Sequence, residues 1–466
     1  MPLEKYRHWQ SALASSTRPA YLMIADLIEQ DIEKGTLQRR DRLPPLRDLA
    51  KLLELNYTTV TRAYKEASHR GLIDSHPGSG SYIKGRTATL PPRNGSNIEM
   101  TMNLPPEPED PILVQQIRQD MVEVSTQTDL ACLLRYQDFG GTIKDKESGA
   151  QFLHPVLPEV DVDRLLVCPG IHTALLALLS VLCKSGKALC VEKSVYPGLK
   201  AISAQLGIQL VSVECDADGP IIRSLEALCK SEKISALYLN PTLQNPTTNT
   251  MSLARRQGIA DVAIRYNLPI IEDDAYGLLA SESVTPIARL VPELTYYVSG
   301  LAKVFGAGSR TAYLYAPNKL LKQRLSGALR ALAVMASPIT TSLATRWIQN
   351  GTLRQVMAMI REESAVRHQL IRQHMTGVKY RSKSDAFHFW LQLPATIKAS
   401  TSEVAQYLQG QGISAVAAAA FCTDNNPQHA LRVSLGGGTN REKAERDLLF
   451  IRDMLDHPEH VAGVSF

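Results

Sequence analysis

Apolar positions recur at helical spacing near the start of the chain. Ile24, Leu27, Ile28 and Ile32 mark one helix face closed by Gly35, and Leu46, Leu49, Ala50 and Leu53 mark a second. Val60, Ala63, Tyr64 and Ala67 form an i, i+3, i+4, i+7 stripe for a third helix, which ends near Gly71. Only Glu54-Leu55-Asn56 separates the second pattern from the third. That is helix-turn-helix spacing, with Asn56 placed to cap the following helix. From Gly71 to Ile83 the apolar residues alternate around Pro77-Gly78-Ser79-Gly80, as in a two-stranded wing.

Between Lys84 and Pro111 periodicity disappears and prolines accumulate, so residues 85–110 read as a linker spanning about 30 Å as a flexible coil. Beyond it, apolar runs alternate with helical patterns at Leu165–Val167, Ala188–Val191, Gln209–Val213, Ala236–Leu239, Pro269–Glu272, Thr295–Ser299 and Ala312–Tyr315. This alternation predicts a mostly parallel sheet with helices on its faces. From about Ser364, helices mix with the strands Phe387–Leu393 and Leu431–Leu435, a smaller α+β subdomain. The expected organisation is a winged helix-turn-helix over residues 1–84, the linker, and an α/β domain over 111–466, with a large part 111–363 and a small part 364–466.

Charge sharpens this division. The 466-residue chain carries a formal charge of only +5, yet residues 34–86 hold eleven Lys and Arg against five Asp and Glu. Such local basicity suits a polyanion. The exposed side of the third helix carries Thr58, Thr61, Arg62 and Lys65, with Tyr57 at its start, a surface that can lie in the major groove of double-stranded DNA. Arg47 at the start of the second helix, and the wing around Gly78 and Ser79, would touch the phosphate backbone. A charged face on an isolated helix is usually just solvated; the winged-helix order and the local charge favour DNA.

The seven cysteines are scattered, form no Cys-x-x-Cys pair and keep apolar company, as at Cys183 and Cys190. They read as small core residues of a reduced cytoplasmic protein, with no metal site implied. No apolar run follows a basic start, and the most apolar later stretch, Ala328–Ala344, is broken by Arg330 and Pro338. A signal peptide and a membrane span are therefore not expected.

The α/β region carries the parts that a lysine-bound pyridoxal 5'-phosphate needs: an amine for the Schiff base, a carboxylate for the pyridine nitrogen, donors for the 3' oxygen, a stacking ring and a phosphate cradle. Lys303, in Ser299-Gly300-Leu301-Ala302-Lys303, supplies the amine. Asp273, in Glu272-Asp273-Asp274-Ala275-Tyr276, stands at the carboxyl end of a buried strand, where ligands of α/β sheets gather. Tyr276, and Asn245 in Gln244-Asn245-Pro246, could reach the 3' oxygen, while Tyr196 could stack on the ring. Cys168-Pro169-Gly170-Ile171-His172-Thr173 leads from a strand into a helix and presents free amides, with His172 and Thr173 as phosphate contacts and Arg310 adding charge. Arg432, in Leu431-Arg432-Val433-Ser434, suits a ligand carboxylate. Each motif alone has a plainer reading, as a surface charge, a strand cap or a turn; their order, each at a strand end or helix start, argues for a site.

This order of motifs resembles fold-type-I aminotransferases of the kynurenine/aminoadipate kind over nearly all of 111–466. The N-terminal pattern resembles the GntR-type winged helix, and the fusion of the two resembles the MocR subfamily of bacterial transcriptional regulators. The resemblance implies that Lys303 is the internal-aldimine lysine, that Asp273, Asn245 and Tyr276 hold the cofactor ring, and that Arg432 binds a carboxylate. It also implies a homodimer in which Tyr136 serves the neighbouring subunit's phosphate. Some positions depart from the family: Gly300 stands where a phosphate-binding serine is usual, with Ser299 one step earlier, and Thr248 replaces a glycine. Ala386-Phe387 replaces a pair of small residues, and Arg40 another glycine. The resulting expectation is a DNA-binding regulator that senses an amine or amino acid by aldimine exchange at Lys303. Its rivals are an active aminotransferase with an accessory DNA-binding domain, and a DNA-binding protein whose second domain only dimerises.

Overall fold

The structure is a computed structural model describing residues 3–14, 18–37, 41–70, 72–76, 80–83, 99–183, 187–231, 234–424 and 426–462. The chain divides into two compact units, Met1–Ser96 and Asn97–Phe466. Among the described residues, no helix is long and apolar enough to cross a membrane.

In the first unit, helices α1 (His8–Ala14), α2 (Ala20–Glu33), α3 (Leu46–Leu52) and α4 (Tyr57–His69) precede the antiparallel strands β1 (Ile73–His76) and β2 (Gly80–Ile83), registered from Ile73 opposite Ile83 to His76 opposite Gly80. Val60, Ala63, Tyr64 and Ala67 turn inward into one core with Ile24, Leu27, Ile28 and Leu49, the faces that the spacing predicts. Helix α4 starts where the Asn56 side chain accepts from the Thr58 amide and hydroxyl, each at 3.1 Å. Helix α1 lies outside the patterns read from the sequence. It is held because Tyr6 and Trp9 bury themselves in the same core and Trp9 Nε1 donates to Asp31 at 2.9 Å. Gly78, Ser79 and Arg40 lie outside the described residues.

The second unit contains β3 (Leu165–Cys168), β4 (Ala188–Val191), β5 (Leu210–Ser212), a small hairpin of β6 (Cys215–Asp216) and β7 (Gly219–Pro220), then β8 (Ile234–Leu239), β9 (Ile270–Asp273), β10 (Thr295–Gly300) and β11 (Ala312–Tyr315). The large sheet runs β3-β11-β10-β9-β8-β4-β5, parallel except where β11 pairs antiparallel with both of its neighbours. Because β11 reverses twice, β3 and β10 point the same way, and their carboxyl ends, Cys168 and Gly300, both register with Ala312. Asp273 registers with Val298 at the same edge. Both faces of the sheet are covered. Leu166, Val298 and Leu314 pack with Ala174 and Leu178 of helix Ile171–Leu182, while Val167, Tyr297 and Tyr313 pack with Phe152 and Trp347.

A second sheet holds β12 (Tyr380–Arg381), β13 (His388–Gln392), β14 (Ser414–Ala417) and β15 (Ala430–Ser434) in the antiparallel order β12-β13-β15-β14. Two of its strands, β12 and β14, were not legible as strands in the sequence. The described residues 99–110, whose composition reads as linker, belong to this second unit. Glu99–Thr101 forms a 3-10 turn, Pro106 bridges to Gly437, and Ser414 Oγ donates to the Met100 carbonyl at 2.9 Å.

Candidate functional site

The carboxyl ends of β3, β8, β9 and β10 bring the Gly170 helix start, the Asn245 loop, Asp273 and the Lys303 helix to one edge of the large sheet, while Arg432 stands on β15 of the second sheet. Asp273 ends β9, buried, and its Oδ2 accepts from Tyr238 Oη at 2.7 Å. Its Oδ1 makes no hydrogen bond of ordinary geometry, although the Ala275 amide lies near enough to ease the charge. Burial raises the carboxyl to about 6 against the Tyr238 hydrogen bond, with Asp274 adding to the rise. Asn240 links this strand end to the Asn245 loop: its Nδ2 donates to the Asp273 carbonyl at 2.6 Å and its Oδ1 accepts from the Asn245 amide at 2.9 Å. Tyr238 and Asn240 were missed from sequence, since both stand in or beside a strand that reads simply as apolar.

The helix start beside Gly170 is equally local. Gly170, at φ 86°, starts the helix Ile171–Leu182, whose first amides have no partner within the helix. A side chain at Gly170 would meet the Arg310 guanidinium at 3.4 Å, so the two predicted elements adjoin. His172 and Tyr196 meet edge to face with ring centroids 6.4 Å apart, and burial followed by the Arg310 charge lowers the His172 pKa. Thr173 Oγ1 donates back to the Pro169 carbonyl at 3.2 Å. Gly198 leaves room for the Tyr196 ring, which a Cβ would strike at 2.3 Å.

Ser299 is fully buried, and its hydroxyl donates to the Asp274 carbonyl at 3.1 Å. Gly300 cannot restore the usual serine without movement, because a Cβ there would stand 2.8 Å from the Thr311 carbonyl and from the Ala312 Cβ. A second departure has a structural cost: Thr248 sits at φ 59°, the left-handed conformation that favours glycine.

Lys303 lies on the short helix Leu301–Val304, with Nζ 6.0 Å from the centre of the Tyr276 ring and donating to the Asn103 carbonyl. Burial, then the Arg432 charge, lowers its pKa to about 7 against the pull of Asp273. Arg432, buried on β15, donates to Asn245 Oδ1 at 3.4 Å and to the Thr101 carbonyl at 2.6 Å, and burial lowers it to about 10. Tyr276 Oη accepts from Asn103 Nδ2 at 2.9 Å, and burial raises its pKa to about 12. His388 was also missed; it is fully buried, its Nδ1 accepts from Asn103 Nδ2 at 3.0 Å, and burial then Arg432 push it down to about 3. Tyr136 is 77% exposed and meets none of these groups within the chain.

On the first unit, Arg47, Tyr57, Thr58, Arg62 and Lys65 are exposed and Thr61 is half-buried. Thr61 Oγ1 donates to the Tyr57 carbonyl at 2.9 Å, so its acceptor side remains outward. The Arg62 guanidinium sits over the Tyr21 ring, 4.4 Å from its centre, and is thus braced from α2. At the far end of α4, Arg70 donates to Glu66 at 2.8 Å and to Asp26 at 2.7 Å, tying the helix to α2.

A winged helix-turn-helix in one unit and an aminotransferase fold in the other define a DNA-binding transcriptional regulator. The family model of bacterial regulatory proteins, gntR family, matches residues 20–83, and that of aminotransferase class I and II matches residues 98–446. The chain is 30% identical over 466 residues to the HTH-type transcriptional regulator YdeF of Bacillus subtilis (strain 168), covering 98% of this chain and 99% of that protein. It is 24% identical over 420 residues to the vitamin B6 salvage pathway transcriptional repressor PtsJ of Salmonella typhimurium (strain LT2), covering 88% and 93%. LysN, an alpha-aminoadipate aminotransferase of Thermus thermophilus, shares the fold with a TM-score of 0.69 at 19% identity, over 79% of this chain and 96% of that one. The chain belongs to the aminotransferase class I and II family and, with its GntR-type helix-turn-helix, to the MocR subfamily of transcriptional regulators.

Proposed function

We propose that this regulator binds operator DNA through its first unit and senses an amine or amino acid by exchange at Lys303, with pyridoxal 5'-phosphate as cofactor. The observation that carries the reading is the Lys303 amine, set 6.0 Å from the centre of the Tyr276 ring and drawn down to about 7 by desolvation and the Arg432 charge against Asp273, which favours its uncharged, nucleophilic form. The surroundings fit the cofactor. Asp273 has a buried Oδ1 in want of a hydrogen bond, which a protonated pyridine nitrogen would supply, and the Gly170 helix start beside Arg310 suits a phosphate. When bound, pyridoxal phosphate supplies an aldehyde that condenses with primary amines.

The chain's own residues then have distinct tasks. Asp273 would hold the proton on the ring nitrogen, Tyr276 and Asn245 would orient the 3' oxygen, and Tyr196 would cover the ring face. His172, Thr173 and Arg310 would hold the phosphate, and Arg432 a ligand carboxylate. Ile112, Leu134, Tyr136 and Ile143, between 61% and 80% exposed, support a homodimer in which Tyr136 reaches a neighbour. On DNA, Arg62, Lys65, Thr58, Thr61 and Tyr57 would enter the groove while Arg47 takes the backbone.

Purified protein should show a visible absorbance band that Lys303→Ala abolishes, and borohydride should label Lys303; a retained band with another lysine labelled overturns the assignment. Titrating amines and amino acids against both absorbance and promoter binding tests the function. Linkage requires operator DNA to change ligand affinity by the factor by which the ligand changes operator affinity. A ligand that alters the band but leaves operator binding untouched, while amino donor and keto acid turn over repeatedly, would favour an aminotransferase.

A further inference from the structure

The place where a ligand carboxylate would bind is filled by the chain itself. Arg432 donates to the Thr101 carbonyl at 2.6 Å, and Lys303 donates to the Asn103 carbonyl. The Asn103 side chain, 2% exposed, is keyed at three points: Nδ2 donates to Tyr276 Oη at 2.9 Å and to His388 Nδ1 at 3.0 Å, and Oδ1 accepts from Ser434 Oγ at 2.7 Å. On either side, Ser414 Oγ holds the Met100 carbonyl at 2.9 Å and the Gly437 amide holds the Pro105 carbonyl at 3.0 Å. Gly436 makes room for this path, since a Cβ there would stand 1.8 Å from the Leu104 carbonyl.

The seating uses weak partners for strong groups. Lys303 and Arg432 are both offered neutral carbonyl oxygens, while Arg432 Nε has no hydrogen-bond partner among the described residues. A carboxylate brings a full charge and two oxygens to a guanidinium, and hydrogen bonds between ionised groups are roughly twice as strong as neutral ones. An amine without a carboxylate has no such claim on Arg432.

We propose that the segment Met100–Asn103 is a displaceable occupant of the ligand site, ejected by amino acids through their carboxylates and left in place by amines that lack one. The segment is continuous along the chain with the DNA-binding unit, so its ejection gives ligand identity a route to DNA engagement. This deepens the regulator reading and rests on it.

The test uses the full-length, cofactor-loaded protein and pairs each amino acid with the amine that its decarboxylation would give. Affinities are read from the visible spectrum in the parent, in Ser414→Ala and in Ser434→Ala, each variant removing one hydrogen bond that seats the segment. Displacement requires amino acids to bind more tightly in both variants, by roughly five-fold for a hydrogen bond of ordinary strength, and the paired amines to be unmoved. The ligand concentration that halves the change in promoter occupancy should fall by the same factor. A purely structural role for the serines would instead weaken both ligand classes. Amino acids and amines shifting together, or amino-acid affinity unchanged or reduced, overturns the displacement and leaves the regulator reading standing. If one variant fails to fold, the other carries the test. A parent whose spectrum answers to no amine or amino acid overturns both.

Discussion

The exposed face of α4 and the Lys303 site use the same residue types in opposite settings. Arg62 and Lys65 are exposed, with Arg62 merely leaning on Tyr21. Lys303, Arg432, Asp273 and His388 are enclosed, and burial is the first cause of every displacement, to about 7, 10, 6 and 3 respectively. An exposed cation can be changed with little cost to folding, whereas each enclosed group is held by partners that its loss would leave unsatisfied. The exposed face of α4 is therefore separable from stability and the Lys303 site is not.

The harshest test of that contrast lies behind Asp273. Arg256, fully buried, donates to the Pro241 carbonyl at 3.1 Å and Thr242 Oγ1 at 3.0 Å, and stands 3.8 Å from Glu272, which caps the Ile287 and Ala288 amides at 2.9 and 2.8 Å. Arg256→Ala removes the charge that offsets burial of Glu272. We expect a loss of about 3–5 kcal/mol, measured by denaturant titration of the unfolding transition of the second unit. A loss below about 1 kcal/mol, the range of exposed ion pairs, would break the distinction.

On the other side, Arg62→Ala and Arg47→Ala should each weaken operator binding by about 1–3 kcal/mol, read in a binding isotherm at fixed salt. Unfolding free energy should move by no more than about 0.5 kcal/mol. Tyr21→Leu, which removes the brace under Arg62, should reproduce part of the binding loss, about 0.5–1 kcal/mol. A folded double variant, Arg47→Ala with Arg62→Ala, that binds its promoter like the parent would remove the proposed face.

The third expectation is a pH dependence. His388 is neutral when folded because its pKa is near 3 against the ordinary 6.5, so between those values the unfolded chain binds more protons and the folded state loses stability as pH falls. From pH 7 to pH 5 this amounts to about 2 kcal/mol. Asp273, raised to about 6, acts in the opposite direction, binding its proton when folded and favouring the fold as pH falls toward 4. Comparing the parent with His388→Gln cancels Asp273 and every other shared group. The variant should gain stability relative to the parent on acidification, and parallel curves for the two would place His388 outside the enclosed set.

The same contrast explains what the sequence revealed. Periodicity reports which side of an element is buried, so the inward stripe of α4, its outward face and the strands ending at Asp273 and Gly300 were legible. It does not report which distant group a buried side chain meets. Asn103 lies 173 residues from Tyr276 in a proline-rich stretch without periodicity, and only the closed fold makes it a partner of Tyr276, His388 and Ser434. Tyr238 and Asn240 were hidden for the converse reason, as polar functions in or beside a strand whose apolar character was its dominant signal.

The smallest expected effect concerns Thr248. A β-branched residue at φ 59° pays of order 1–2 kcal/mol for a left-handed conformation, which glycine adopts freely. Its backbone role survives substitution, since the Thr248 amide donates to the Gln244 carbonyl at 2.7 Å whatever the side chain. Glycine gives part of the gain back through the greater freedom of the unfolded chain, so Thr248→Gly should stabilise by about 0.5–1 kcal/mol, read as a rise in the thermal midpoint. Ligand affinity should stay where it is, because Asn245 is fixed independently by Asn240 at 2.9 Å. A fall in stability would mean that packing of the Thr248 side chain, 2% exposed, outweighs its backbone strain. A rise in stability with altered ligand affinity would instead show that the strained turn helps to set the Asn245 loop, making Thr248 part of the enclosed site.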